Sequence, residues 1–598
     1  MKKITVVDFG GQYTHLIARR IRETGIYSEI VYPENFSLDD SGICGIIFSG
    51  GPRSVTESKS LSIDLDIRSL NVPLLGICYG HQLIASMCGG KVESLAAPEY
   101  GATELVPSGD GALFVNASLH QKVWMSHADS VVELPDEFKT TASTIDTPIA
   151  AYEHKTLPVF GLQFHPEVTH SSMGFTLLQN FSDLCSKEKN WDINSYKNYL
   201  LDDIRTKSKG KKLLLLLSGG VDSLVAMSAC VAAVGNESVY AVHIDTGFMR
   251  LNESASVMAF AERAGWKNVI LMDASERYFD SLKDVSEPEE KRKIIGALFV
   301  EAMHGALKNL EINQDDWMLV QGTIYPDTIE SGATKQSSKI KTHHNRVQEI
   351  EDLMSEGKVL EPLCELYKDE VRKLGHALGL PADMVNRRPF PGPGLAIRIL
   401  INNNADAIDD EKEALKEIQD YVFACGLGCK LLPVKSVGVQ GDFRTYRHPL
   451  VLWNNENKNI DWKYLKDCAA KIINKYPLVN RCVYSAKPLY EDIIVLKASL
   501  DREQVMNLQI VDDIIARATN HIDEIWQLPV ISLPLCNEEG KQYFVMRPVT
   551  SIDAMTADAY EMDEDLYKNI LLQSASLAFC GAVLYDITTK PPGTIEWE

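Results

Sequence analysis

The chain has 598 residues, of which 45% are hydrophobic and 24% charged, and its formal net charge is −22. This length is too great for one hydrophobic core and predicts three or more domains. The acidic balance disfavours a nucleic-acid partner, and no apolar run has the length of a membrane span. The twelve cysteines contain no CxxC pair, so we expect free thiols, no protein-held metal and a cytoplasmic protein that acts on small molecules.

Residues 1–190 alternate short apolar runs with amphipathic stretches, which predicts an α/β domain rich in parallel strands. The apolar run LLGI leads directly into Cys78, which lies between Gly76 and Gly80. Glycines on both sides of a nucleophile allow the tight strand-to-helix turn that exposes its reactive atom. This spacing makes Cys78 a candidate nucleophile.

A reactive thiol also needs a base, an orienting carboxylate and donors for an oxyanion. His165 and Glu167 follow the apolar run VFGLQF, and residues at i and i+2 lie on the same side of an extended chain. The segment SGGP offers the N–H of Gly51, and Tyr79 offers a second donor. Taken singly, Cys78 is typical of a buried apolar cysteine and His165 of a turn residue; only their joint occurrence indicates a catalytic site.

These motifs resemble the triad-type class I glutamine amidotransferases over the whole of residues 1–190. The resemblance implies that Cys78 attacks the amide of glutamine, that His165 moves protons and that Glu167 orients the histidine. It also implies a glutamine pocket lined by Gln82, Ser126 and His127. For His127 a local structural hydrogen bond is an equally good interpretation. The product would be ammonia.

Residues 191–398 form a second predicted α/β domain, with a buried strand at Leu213–Leu217. The sequence SGGVDS follows this strand and precedes an apolar helix, an arrangement that favours phosphate binding. No lysine follows the glycines, so this is not the GxxxxGK[ST] loop that serves the β- and γ-phosphates. The segment resembles the PP-loop ATP pyrophosphatases, which adenylate a substrate and release pyrophosphate.

That resemblance implies that ATP is a co-substrate bound by Ser218, Gly219, Gly220, Val221, Asp222 and Ser223. Asp245, at the end of the next predicted strand, is expected beside the nucleotide, although a helix-cap role explains it nearly as well. Mg²⁺ is expected to neutralise the leaving pyrophosphate, with Asp222 as a candidate to influence it. No tightly bound cofactor is expected.

Residues 399–598 mix amphipathic helices with strands, which is typical of an α+β module. The motifs GTIYPDTIES, IKTHHN, RPFPGPGLAIR, GVQGDFR and KPPGTIEWE, together with an amidotransferase placed before a PP-loop domain, resemble the glutamine-hydrolysing GMP synthases. The C-terminal block has roughly twice the length of the usual module, as in the long form of that family, and this predicts a doubled module. The resemblance implies that xanthosine monophosphate (XMP) is adenylated and then aminated to GMP, in purine nucleotide biosynthesis.

The same resemblance implies XMP contacts by Arg292, Asp442, Gln527, Lys590 and Glu596. For Arg292 a solvated helix face is a strong alternative, because the sequence there is KRK. The segment after Asn345 departs from the family's glycine-rich continuation, so its contacts are not carried over. The expected partners are glutamine, XMP and ATP, without nucleic acid or membrane, in a monomer or a homodimer. An adenylating amidotransferase for another carbonyl substrate, and a nucleotide-binding regulator with a silent glutaminase, are the alternatives.

Overall fold

The structure, a computed structural model, describes residues 2–11, 13–56, 63–108, 111–118, 121–168, 170–309, 316–325, 353–354, 356–401, 412–440, 443–455, 460–551 and 557–598. The chain divides into two compact units, Met1–Tyr199 and Leu200–Glu598. The predicted domain boundaries at residues 190 and 398 stay predictions, and the second unit contains most of the second predicted domain and all of the third. Within the described ranges, no helix combines the length and the apolar character needed to cross a membrane.

The first unit is built on a nine-stranded sheet in the order β2-β1-β3-β4-β9-β8-β7-β5-β6. Its strands are β1 Lys3–Val7, β2 Tyr27–Val31, β3 Ile43–Phe48, β4 Leu74–Ile77, β5 Lys91–Pro107, β6 Gln121–Glu133, β7 Phe138–Ser143, β8 Ala151–His154 and β9 Val159–Leu162. The helices are α1 Thr14–Glu23, α2 Tyr79–Met87 and α3 Gly174–Cys185, and α4 Ile193–Ser208 runs across the boundary between the units. The pairs from β2 to β9 along this order are parallel.

Strands β4 and β9 determine where the first candidate site lies. They are parallel neighbours, with Leu74 opposite Val159 and Ile77 opposite Leu162. Their carboxyl ends therefore meet at the same edge of the sheet, and Cys78 and His165 follow these ends by one and three residues. The sequence predicted both strands but not that they are neighbours.

The second unit begins with a five-stranded parallel sheet in the order β12-β11-β10-β13-β14. Its strands are β10 Lys212–Leu216, β11 Val239–Asp245, β12 Val269–Asp273, β13 Trp317–Val320 and β14 Val359–Leu360. Its helices are α5 Val221–Val234, α6 Glu253–Arg263, α7 Ser275–Leu282, α8 Pro288–Asn309, α9 Lys368–Ala377 and α10 Ala382–Val385. The strand order reverses at β10, and ligands of open α/β sheets bind at such a point. The loop SGGVDS follows β10 directly.

The rest of the second unit is an eight-stranded sheet in the order β15-β17-β18-β24-β21-β20-β19, with β16 paired to β17. These strands are β15 Leu427–Leu431, β16 Ser436–Gln440, β17 Phe443–Asn454, β18 Val479–Tyr484, β19 Ile494–Val495, β20 Val530–Cys536, β21 Gln542–Met546 and β24 Cys580–Asp586. The strands β22 Val549–Thr550 and β23 Asp558–Ala559 form a separate pair. The helices are α11 Lys412–Ala424, α12 Trp462–Lys475, α13 Arg502–Thr519 and α14 Glu564–Ala575.

The eight-stranded sheet contains the same topological unit twice. In the first half α11 precedes β15, β15 is antiparallel to β17, and α12 connects β17 to the parallel strand β18. In the second half α13, β20, β21, α14 and β24 repeat this order and these directions. The halves meet where β18 and β24 pair antiparallel. This repetition agrees with the doubled module that the length of the C-terminal block predicts.

Candidate active sites

Cys78 occupies a strained turn between β4 and α2. Its φ is 52° and its ψ −104°, a conformation that side chains adopt rarely and that is associated with functional sites. The flanking glycines are sterically required: a Cβ atom at Gly76 would lie 2.4 Å from the main-chain oxygen of Gly80, and one at Gly80 would lie 2.3 Å from that of Phe48. The turn thus has the elbow geometry that the sequence predicts.

His165 and Glu167 lie together beside this cysteine. The Nδ1 atom of His165 is 2.7 Å from Oε1 of Glu167, whose side chain is fully buried. Burial alone would lower the pKa of His165, but the charge of Glu167 and hydrogen bonds to Cys78 and Glu167 outweigh it, so this pKa lies well above its ordinary value. Glu167 thus favours the charged form of the imidazole.

The expected oxyanion donors lie at the elbow. Tyr79 is the first residue of α2 and directly follows Cys78. Gly51 packs against the Tyr79 ring so closely that a Cβ atom there would lie 3.2 Å from Cγ of the ring. The neighbouring residue, Gly50, lies close to the side chains of both His165 and Cys78. A Cβ atom at Gly50 would lie 3.3 Å from Cε1 of His165 and 3.7 Å from Cβ of Cys78. The backbone of SGGP thus borders the thiol.

The residues expected to line the glutamine pocket mainly contact other buried residues of the first unit. Gln82 donates through Nε2 to the main-chain oxygen of Asp129 at 2.8 Å, and the main-chain oxygen of Ser126 lies 3.6 Å from Sγ of Cys78. His127 is buried, with Nδ1 2.9 Å from the main-chain oxygen of Asp129 and Nε2 3.4 Å from Glu99. Burial lowers the pKa of His127. These contacts support the structural interpretation of His127, and Glu99 was not found from the sequence.

The loop after β10 is fixed by its own serines. The Ser218 hydroxyl donates to Oγ of Ser223 at 3.1 Å and accepts from the N–H of Gly220 at 3.3 Å, while the Ser223 hydroxyl also donates to the main-chain oxygen of Gly220 at 2.9 Å. Gly219 has a φ of 81°. Helix α5 begins at Val221, so the positive end of its dipole lies at the loop.

Two cationic side chains from distant segments contact the loop. Nζ of Lys368, at the start of α9, lies 2.7 and 2.5 Å from the two carboxylate oxygens of Asp222. Nη1 of Arg387 donates to the main-chain oxygen of Gly219 at 3.3 Å. Neither contact was found from the sequence, because both residues lie more than a hundred positions after the loop.

Asp245 stands at the end of β11 and stabilises a turn. Its Oδ1 atom accepts from the N–H of Gly247 at 2.8 Å. The helix-cap alternative is wrong, because the residue that caps the next helix, α6, is Asn252. A position at the carboxyl end of β11, next to β10, agrees with the expectation that Asp245 lies beside the nucleotide loop.

Of the expected XMP contacts, Arg292 lies against the segment KPPGTIEWE, which itself contains Lys590 and Glu596. Arg292, on α8, donates through Nη2 to the main-chain oxygen of Glu598 at 2.6 Å, and only 14% of its side chain is exposed, so the solvated-face alternative is wrong. Arg398 donates to both carboxylate oxygens of Glu596 at 2.8 and 3.1 Å. The main chain of Gln527 pairs with Val549, and that of Lys590 with Ala557. Asp442 and the motif IKTHHN lie outside the described residues.

Three family models match successive parts of the chain. Glutamine amidotransferase class-I matches residues 5–184, NAD synthase matches 192–295, and the GMP synthase C terminal domain matches 513–597. A probable glutamine-hydrolyzing GMP synthase of Leptospira interrogans is 42% identical over 611 aligned positions, which cover 100% of this chain and 99% of that protein. The chain belongs to the glutamine-hydrolysing GMP synthase family.

Two further members of the GMP synthase family match about four fifths of the chain. The glutamine-hydrolyzing GMP synthases of Mesoplasma florum and Aquifex aeolicus are each 41% identical, and the alignments cover 81% of this chain and 98% of each relative. Family membership confirms the predicted resemblance and the predicted fold class, with an amidotransferase domain, a PP-loop domain and a C-terminal module. It also confirms that the protein is a ligase that uses glutamine and ATP.

Proposed function

We propose that this protein converts XMP to GMP with ATP and the amide nitrogen of glutamine, through the residues described above. One observation carries this assignment: a cysteine–histidine–glutamate triad occurs in the same chain as the loop SGGVDS, which has no lysine of its own. The first arrangement suits the release of ammonia, and the second suits the release of pyrophosphate.

In the glutaminase step the thiolate of Cys78 attacks the amide carbon of glutamine. The N–H groups of Gly51 and Tyr79 stabilise the oxyanion, and His165 gives a proton to the leaving nitrogen, which departs as ammonia. Water, deprotonated by His165, then hydrolyses the thioester and releases glutamate. Glu167 keeps the imidazole oriented and stabilises its charged form, which His165 loses when it protonates the leaving nitrogen and regains when it deprotonates water.

In the synthetase step the O2 atom of XMP attacks the α-phosphorus of ATP, and pyrophosphate leaves. In this proposal the departing phosphates bind to the N–H groups at the start of α5, to the hydroxyls of Ser218 and Ser223, and to Lys368. Ammonia then attacks C2 of the adenylated base, a proton is lost, and AMP leaves with the former O2 atom. The net products are GMP, AMP and pyrophosphate.

Mg²⁺ is the ion that we expect with the nucleotide. The carboxylate of Asp222 fits such a site, because it lies in the first turn of α5, is partly exposed and offers hard oxygen ligands. The ion would neutralise charge on the leaving pyrophosphate. Lys368, which pairs with Asp222 here, would then be available to the phosphates.

For XMP we propose contacts by Arg292, Asp442, Gln527, Lys590 and Glu596, and for the assembly we propose a monomer in the cytoplasm. Three of the five residues, Arg292, Lys590 and Glu596, have contacts that involve the segment Lys590–Glu598. The repeated topology of the eight-stranded sheet supports a monomer, because a second half within one chain can take the place of a partner subunit.

The direct test is GMP formation from XMP, ATP and Mg²⁺ with either glutamine or ammonium as the nitrogen source. We expect GMP, AMP and pyrophosphate in equal amounts, and glutamate only when glutamine is supplied. If neither nitrogen source yields GMP, the assignment is wrong. A protein that hydrolyses ATP but aminates a different carbonyl substrate would favour the alternative of another adenylating amidotransferase.

A further inference from the structure

Glu596, Trp597 and Glu598 are consecutive residues that contact different parts of the second unit. Trp597 is completely buried in a core cluster on one face of the eight-stranded sheet, where its Nε1 donates to Oδ2 of Asp586 at 2.9 Å. Glu596 and Glu598 contact cations, Arg398 and Lys291 respectively. The tryptophan therefore anchors two carboxylates at fixed positions.

Lys291 and Glu598 form a buried ion pair. The distance from Nζ to Oε2 is 2.6 Å, and the exposed fractions of the two side chains are 0% and 7%. Nζ of Lys291 also donates to the main-chain oxygen of Ile399 at 3.0 Å. Burying two charges costs desolvation that their attraction barely offsets, so such a pair is weak evidence for a role in stability. The position of this ion pair beside Arg292 is more informative about its role than its contribution to stability.

The next residue on α8 is Arg292, and the same Glu598 holds it. Glu598 accepts from Lys291 through its carboxylate and from Nη2 of Arg292 through its main-chain oxygen, each at 2.6 Å. The other end of the guanidinium, Nη1, donates to Glu289 at 3.0 Å, and Glu289 also accepts from Arg444 at 2.9 Å. The carboxylate of Glu289 thus lies between Arg292 and Arg444, where a phosphate group could bind to the same two side chains.

We infer that Lys291 and Glu598 are positioning residues that fix the guanidinium of Arg292 for the phosphate of XMP. This role rests on the proposed function, in which Arg292 is one of the XMP contacts. Arg292 has a flexible side chain that would lose considerable rotamer entropy on binding a phosphate. Because Glu598 holds one edge of the guanidinium, and Lys291 holds Glu598, that ordering is present before the substrate arrives.

The test is a double-mutant cycle in the ammonium-dependent assay, which does not involve the glutaminase site. A charge-assisted bond to phosphate corresponds to about a ten- to hundredfold change in affinity, so Arg292→Ala should raise the KM for XMP by that factor. Lys291→Met should raise it at least about fivefold while kcat changes less than about threefold, because it acts through Arg292. In the double variant the KM should match that of Arg292→Ala within about twofold.

Two further variants and one further measurement make the result unambiguous. Glu598→Gln keeps the volume and an acceptor but removes the charge, so it should fold and should raise the KM for XMP in the same direction as Lys291→Met. Lys568→Met removes the exposed ion pair with Glu564 on α14 and should leave the KM unchanged. The thermal midpoint of each variant, measured with and without XMP, separates misfolding from weak binding.

Several outcomes would overturn this role for Lys291 and Glu598. One is an unchanged KM for XMP in Lys291→Met and Glu598→Gln. Another is a double variant whose fold-increase in KM equals the product of the fold-increases in Lys291→Met and Arg292→Ala. An unchanged KM in Arg292→Ala would have the same meaning. In each of these cases wild-type protein still makes GMP, so the proposed function stands; if wild-type protein makes none, both fall together.

Discussion

Replacement of Trp597 by alanine tests whether the segment Lys590–Glu598 stabilises the fold or serves only the substrate site. The indole is completely buried, donates to Asp586 and lies 5.2 Å from the guanidinium carbon of Arg481. Arg481 itself donates through Nη2 to the main-chain oxygen of Glu596 at 3.0 Å. The segment is therefore attached to the core of the module at several points.

The expected cost follows from these contacts. Truncation of a buried tryptophan to alanine usually costs about 3–5 kcal/mol, which includes the cavity that remains. The lost hydrogen bond adds little, because Asp586 keeps bonds to Arg481 and Arg547 and is not left unpaired. We therefore expect about 4 kcal/mol for Trp597→Ala, a large share of the roughly 5–15 kcal/mol that stabilises a typical domain. Trp597→Phe, which keeps most of the ring, should cost about half as much or less.

The measurement is urea unfolding of the full chain, which gives the free energy of unfolding. Circular dichroism and proteolysis of the second unit follow the transition. The transition of the first unit serves as an internal control and should not move. A change below about 1 kcal/mol in Trp597→Ala would refute the reasoning. If the expectation holds, deletion of Lys590–Glu598 abolishes XMP use mainly by unfolding the module, and Lys590→Ala becomes the cleaner probe of substrate contact.

Three other outcomes are expected. Cys78→Ala should abolish the glutamine-dependent rate and preserve the ammonium-dependent rate; loss of both would mean that Cys78 is structural. Glu167→Gln removes the charge that raises the pKa of His165, so the alkaline limb of the pH profile of glutamate release should move to lower pH, and a move to higher pH would contradict the assigned charge state. Lys368→Met should raise the KM for ATP about tenfold or more, whereas Lys373→Met, which replaces an exposed lysine on the same helix, should not; equal effects would refute a specific role for Lys368.

Local pattern was sufficient to predict much of the glutaminase site. The alternation of apolar runs located β4 and β9, the glycines around Cys78 predicted the elbow, and the spacing of two residues predicted that His165 and Glu167 face one pocket. Each of these features depends on residues close together in sequence. Backbone periodicity and sterics therefore carry the information.

Contacts between distant segments were not predictable in the same way. Lys368 reaches the phosphate loop from 146 residues away, and Glu598 reaches Lys291 across 307. Nothing in the local sequence of either lysine distinguishes it from a lysine on a solvated helix face. Such pairs depend on how helices pack onto the sheets, which is decided by the whole fold rather than by any one motif.

The elbow glycines have a consequence for how this enzyme can lose activity. At both Gly76 and Gly80 the nearest clashing atom is a main-chain oxygen, which no neighbouring rotamer change can move aside. One extra methyl group at either position would thus silence the glutaminase without touching the synthetase residues. A single base change, from a glycine to an alanine codon, would therefore separate glutamine hydrolysis from the amination step. Amination could then continue only with free ammonium as the nitrogen source.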